Sequence, residues 1–89
     1  MQARIIILGF VQGVGFRQFV KKSALKFKLK GYVHNLSDGR VEAVVAGPKE
    51  DIQTLIKLCE KGTFFSDVKS VQIEWEEKEK DFSSFEVLR

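Results

Sequence analysis

Within its first 28 residues the chain changes its hydrophobic period once, across two glycines, and this change constrains the fold most. Residues 3–10, Ala-Arg-Ile-Ile-Ile-Leu-Gly-Phe, are β-branched and apolar and predict a central strand. Gly13 and Gly15 break it. Phe16, Phe19, Val20, Ser23, Ala24 and Phe27 then recur at helical spacing, with Lys21, Lys22, Lys26 and Lys28 off that stripe. This predicts an amphipathic helix over roughly 16–28. A strand feeding a helix through so short a loop must return the helix's apolar stripe onto the sheet.

The later glycines and the single proline continue the punctuation. Gly31 precedes a short strand, Tyr32-Val33-His34-Asn35. The Asp38-Gly39 pair inside Ser37-Asp38-Gly39-Arg40 favours a hairpin turn, and Val41 to Ala46 is the return strand. Gly47-Pro48 opens a second helix, with proline suited to its first position and Glu50-Asp51 to its positive end. Ile52, Leu55, Ile56 and Cys59 form its buried stripe, and Lys61-Gly62 closes it. Val71, Ile73 and Trp75 alternate as a fourth strand, with Trp75 facing the core. Phe85 and Val87 suggest a short fifth strand at an edge.

The order β-α-β-β-α-β predicts an α+β sandwich, two helices on one face of an antiparallel sheet. The split wiring places the hairpin's return strand between the first and second strands. Those two then run the same way, roughly 10 Å apart. The loop after Phe10 and Asn35 become spatial neighbours although 25 positions separate them.

Composition narrows the class. The 89 residues predict a single domain over 1–89, and 44% hydrophobic with 30% charged residues excludes a disordered tail, a coiled coil and a disulfide scaffold. Ile5-Ile6-Ile7-Leu8 is far too short for a membrane span or a signal-peptide core, so the expected compartment is the cytoplasm, with no membrane partner. One cysteine and one histidine cannot build a thiolate zinc site. The net charge of +3 hides a split. Residues 1–48 carry eight Lys/Arg against two Asp/Glu, and residues 49–89 carry seven against ten. An anionic partner belongs with the first half.

Chemistry concentrates in Gly9-Phe10-Val11-Gln12-Gly13-Val14-Gly15-Phe16-Arg17. A glycine-bearing loop at a helix N-terminus frees several backbone N–H groups, and the helix dipole adds positive potential. Arg17 in the first turn is electrostatically misplaced unless an anion fills the loop; its planar fork of donors suits phosphate oxygens. Gln18 stands where a dinucleotide fingerprint needs a third glycine, and no Gly-Lys-Ser/Thr triplet exists for a Walker loop. On these grounds the loop is equally an anion site or a tight strand-to-helix turn.

The segment Gly9 to Arg17 resembles the first signature of the acylphosphatase family. Gly31-Tyr32-Val33-His34-Asn35-Leu36-Ser37-Asp38-Gly39-Arg40-Val41-Glu42 resembles its second, and Ser84-Phe85-Glu86-Val87 fits its C-terminal strand. The resemblance implies a ferredoxin-like fold and metal-free, cofactor-free hydrolysis of small-molecule acyl phosphates, without a covalent intermediate. It implies that Gln12, Gly13, Val14, Gly15, Phe16 and Arg17 form the phosphate cradle. Arg17 would be a single buried guanidinium anchor, and Asn35 would orient the attacking water. A monomer is expected. Phe10 departs from the family, which often has a polar or basic residue there. Lys28 stands where a glycine often ends the first helix; in a left-handed backbone it costs roughly 1–2 kcal/mol.

Other residues have plainer readings. His34 falls on the face opposite Asn35 as an exposed or edge residue. Cys59 is inert packing, and Asn35-Leu36-Ser37 matches the glycosylation pattern by coincidence. The acidic run Glu74, Glu76, Glu77, Glu79 and Asp81 reads as a solvated strand end. The rival function is a ferredoxin-like module binding RNA or another anion without catalysis, which requires exposed aromatics on the central strands. The strand Ile5 to Leu8 offers none, so no nucleic-acid partner is expected. A second rival is a domain of a larger carbamoyltransferase, against which the short chain argues for a free-standing protein.

Overall fold

A computed structural model describes residues 1–78 and 80–88, so Glu79 of the acidic run lies outside the described residues. The elements are β1 (Gln2–Phe10), α1 (Phe16–Lys26), β2 (Lys30–Asn35), β3 (Val41–Ala46), α2 (Lys49–Lys61), β4 (Asp67–Glu76) and β5 (Phe85–Val87). The strand order is β4-β1-β3-β2-β5. As the split wiring requires, β3 lies between β1 and β2 and is antiparallel to both. The short fifth strand instead runs parallel to β2. Glu76, at the end of β4, pairs with Gln2, at the same end of the sheet where β2 begins. The chain therefore crosses to the far edge and enters β5 in β2's own direction.

Alternation along the strands decides what is buried. Ala3, Ile5, Ile7, Val33, Val41, Ala43 and Val45 face the helices and meet Phe16, Val20 and Ala24 of α1 and Ile52, Leu55 and Cys59 of α2. Truncating the fully buried Phe16 to alanine would cost about 3–5 kcal/mol. Burial pushes the Cys59 thiol up to about 12, as expected of inert packing.

Several boundaries differ from the sequence expectation. Helix α1 ends at Lys26, because Lys28 takes a left-handed backbone (φ 57°). Leu29 N–H donates to the Ala24 carbonyl at 2.9 Å and Lys28 N–H to that of Leu25 at 3.0 Å, a Schellman cap with lysine in glycine's place. Pro48 is the N-cap of α2 rather than its first residue; its carbonyl accepts from Ile52 N–H at 3.1 Å. Trp75 shares the parity of Val71, which packs on the core, yet it is half-exposed like Ile73. It sits near the end of edge strand β4, with the Lys49 ammonium 5.4 Å from its ring centroid.

His34 is half-buried rather than exposed, and β5 pairs only with Gly31 to Val33, stopping short of it. Its Nε2 lies 2.6 Å from Glu42 Oε1 on the helix-free face, and the other Glu42 oxygen accepts from Arg4 Nε. Burial pushes the Glu42 carboxyl up, but hydrogen bonds and charge from His34 and Arg4 together hold it below its ordinary value of 4.5.

Candidate active site

The β1–α1 loop has the conformation its glycines permit. Gly13 (φ 76°) and Gly15 (φ 75°) are left-handed, while Val14 between them is not. Alternating the sign of φ curls successive N–H groups around one concave side. Gly15 is the N-cap of α1, and no side chain caps the helix. No acidic residue stands in the first turn, where α2 has Glu50 and Asp51. Phe19 N–H, donating to Gly15 carbonyl at 3.1 Å, begins the helical ladder. The amides of residues 13–17 have no acceptor among the described residues. An uncapped helix end with free loop amides has the donors and the positive potential that an anion would need.

A cavity of about 90 Å³ lies there, lined by Val11, Gly13, Gly15, Phe16, Arg17, Gln18 and Val87. Arg17 is half-buried, not buried as expected, and its Nη1 donates to the Leu88 carbonyl at 3.2 Å. Leu88 is in turn held by its own N–H to the Val33 carbonyl at 2.8 Å. Of five guanidinium N–H groups one is thus spent on positioning, leaving four for a ligand. Leu88 carried no sequence signal, since it contributes only a main-chain oxygen, and Val87, read only as strand, also walls the cavity.

Gln12 has a different place from its cradle neighbours. Its side-chain Nε2 donates to the Leu36 carbonyl at 2.8 Å and to the Arg40 carbonyl at 3.0 Å. The side chain thus ties the loop to the β2–β3 hairpin and leaves only the backbone of Gln12 for the cradle. The tie brings the loop against the residue that follows Asn35, the juxtaposition the topology predicted. Asn35 has the parity of Val33, which puts its side chain on the helix face. Its Oδ1 is buried with no hydrogen-bond partner among the described residues. A buried amide oxygen left unpaired costs about 1–3 kcal/mol, so Oδ1 is an acceptor that the described residues do not satisfy, as is the buried Thr63 Oγ1.

On the helix-free face, β1 and β3 present Arg4, Ile6, Glu42 and Val44, opposite in parity to the core residues Ile5 and Ala43. The aromatic platform that single-stranded RNA needs is not on these central strands.

Comparison with known proteins bears directly on this arrangement. The acylphosphatase family model matches residues 3–87. An acylphosphatase of Caldivirga maquilingensis is 46% identical over 88 residues, covering 98% of this chain and 93% of that one. An acylphosphatase of Bacillus licheniformis is 47% identical, covering 98% and 97%. The crystal structure of acylphosphatase from Bacillus subtilis superposes with a TM-score of 0.96 at 39% identity, covering 99% and 98% of the two chains. With the match running through the cradle loop, the Asn35 strand and the whole five-stranded fold, this chain belongs to the acylphosphatase family.

Proposed function

We propose that this hydrolase cleaves the carboxyl–phosphate bond of acyl phosphates by direct attack of water, without a metal. The phosphoryl group rests on the amides of residues 13–17 and on Arg17, and Asn35 aims the water. The observation that carries the reading is the run of unpartnered amides leading into Arg17, tied through Gln12 to the hairpin beside Asn35. The chemistry asks little more. The P–O bond to the acyl group breaks with its electron pair on the departing carboxylate, already a stable anion. A P–O bond forms to water in line with it, and a phosphate oxygen takes the water's proton. Catalysis then consists of holding the phosphoryl oxygens, offsetting their charge and placing the nucleophile. Asn35 Oδ1 accepts one water hydrogen and so fixes the lone pair toward phosphorus, by geometry rather than basicity. The residues lining the cavity are neutral or cationic, which suits an anion better than a cation.

The reading extends to a single-domain monomer in the cytoplasm. A core closed within one chain and a lone, buried cysteine support it. No described helix is long and apolar enough to cross a membrane.

Phosphate release from acetyl phosphate, benzoyl phosphate and ordinary phosphate monoesters, in excess chelator, tests the function. Hydrolysis of the acyl phosphates alone, undiminished by chelator, is the expected result. Equal activity on monoesters, or activity that only magnesium restores, overturns it.

A further inference from the structure

On the helix-free face of the sheet, a polar chain crosses β1, β3 and β2. Arg4 of β1 donates from Nε to one oxygen of Glu42 on β3, and Nε2 of His34 on β2 lies 2.6 Å from the other, Oε1. An ionised carboxylate only accepts, so Nε2 carries the hydrogen of that bond. Glu42 is 8% exposed, and its two oxygens are committed one to each neighbouring strand. A polar network satisfied in this way holds its members in one arrangement. None of the three side chains lines the phosphate cavity.

What the chain braces follows from the topology. Strand β1 leads into the cradle loop, β2 ends in Asn35, and β3 lies between them. His34 pairs directly with Glu42, and Asn35 with Val41. On the outer side of β2, β5 pairs with Gly31, Tyr32 and Val33, and Leu88 N–H donates to the Val33 carbonyl at 2.8 Å. Among the described residues, the last two positions of β2 are therefore paired in the sheet from the β3 side alone. A strand end held on one side is free to roll about its own axis. Consecutive side chains point to opposite faces, so a roll that moves His34 outward carries Asn35 the other way. The bond from His34 to Glu42 opposes that roll, and Arg4 anchors Glu42 to β1. The Tyr32 ring, on the same face with its centroid 5.7 Å from that of His34, limits the swing of the imidazole. Asn35 depends on this brace, because its Oδ1 makes no hydrogen bond of its own among the described residues and takes its position from the backbone beneath it.

We propose that His34 is a positioning residue for the hydrolysis: through Glu42 it fixes the end of β2, and with it the direction in which Asn35 presents Oδ1 to the water. The inference rests on the function proposed above. Loosening this alignment should cost about tenfold in kcat, since a misplacement of about 1 Å costs up to about 100-fold.

The experiment measures kcat and KM for benzoyl phosphate, and the Kd of inorganic phosphate by calorimetry, in wild type, H34F, H34Q, N35A and the double variant H34F/N35A. H34F keeps a ring and loses the donor, whereas H34Q keeps an N–H at comparable reach. The expected result is a fall of about tenfold in kcat for H34F, with KM and phosphate binding unchanged and most of the rate recovered in H34Q. In the N35A background H34F should cost nothing further, because the group it positions is gone. A purely structural role would lower kcat in both backgrounds. An unchanged kcat in H34F overturns the proposal, as does a fall that persists in the N35A background or one matched by lost phosphate binding. Urea unfolding of each variant confirms that it folds, and H34N, whose shorter side chain stops short of Glu42, replaces H34F if that variant does not. A wild-type protein inactive on benzoyl phosphate, or an N35A protein with full kcat, would remove the functional reading itself. Full kcat in H34F beside an impaired N35A would remove only the role of His34.

Discussion

The side-chain amide of Gln12 donates to the main-chain carbonyl of Leu36 at 2.8 Å, across 24 positions of sequence. A second bond from the same nitrogen reaches the Arg40 carbonyl at 3.0 Å. One residue therefore staples the glycine loop to the hairpin beside Asn35 and sets the spacing between the two halves of the proposed site.

Replacing Gln12 by alanine removes both bonds. The two carbonyls keep partners, Leu36 from Gly39 N–H and Arg40 from Leu36 N–H, so neither is orphaned. The expected stability loss is about 1–2 kcal/mol. The larger effect falls on geometry: with the halves free to drift, kcat/KM should drop about 10- to 100-fold. Urea denaturation and steady-state kinetics on benzoyl phosphate measure the two effects separately.

Lys28 carries the only positive φ of a non-glycine residue among those described, at the Schellman position closing α1. Lys28→Gly relieves the left-handed strain and gives back part of it as unfolded-chain entropy. The net gain should be about 1 kcal/mol. For a domain this size that raises Tm by about 4–8 °C. The position lies at the far end of α1 from the cradle, so activity should be unchanged.

The first strand, the position of the loop after it and the nearness of Asn35 to that loop were legible, although the residues alone left the loop equally an anion site or a tight turn. An apolar β-branched run, paired glycines before a helical stripe, and a strand ending at an Asp-Gly turn leave few alternatives. The acceptor for Arg17 was not legible, because Leu88 contributes a carbonyl that every residue possesses, 71 positions away. The partner of His34 was hidden because Glu42 reaches it, and Arg4 reaches Glu42, only through the register of three strands. Trp75 misled for a related reason: alternation gives the face of a strand, but whether a helix covers that end depends on where α2 lies. The fifth strand's direction depended on where β4 ends, which periodicity does not define.

The Arg4–Glu42–His34 chain predicts how stability depends on acid. Glu42 has a carboxyl held below 4.5 in the folded protein, so near that pH the unfolded chain binds more protons than the folded one. The stabilisation is present above pH 4.5 and is lost as pH falls through the folded value. Glu42→Gln should therefore be less stable than wild type at about pH 7, with the gap closing toward about pH 3. Urea midpoints at the two pH values read it directly. A gap that stays constant would mean the carboxyl titrates alike in both states.

The central claim is a division of labour: the loop amides and Arg17 hold the phosphoryl group, and Asn35 orients the water. The direct test measures inorganic phosphate binding by calorimetry alongside benzoyl phosphate turnover, in wild type, Asn35→Ala and Arg17→Ala. Asn35→Ala should bind phosphate as wild type does and lose about 100-fold or more in kcat, whereas Arg17→Ala should lose phosphate binding. An Asn35→Ala protein that keeps wild-type kcat, or loses phosphate binding as Arg17→Ala does, would contradict it.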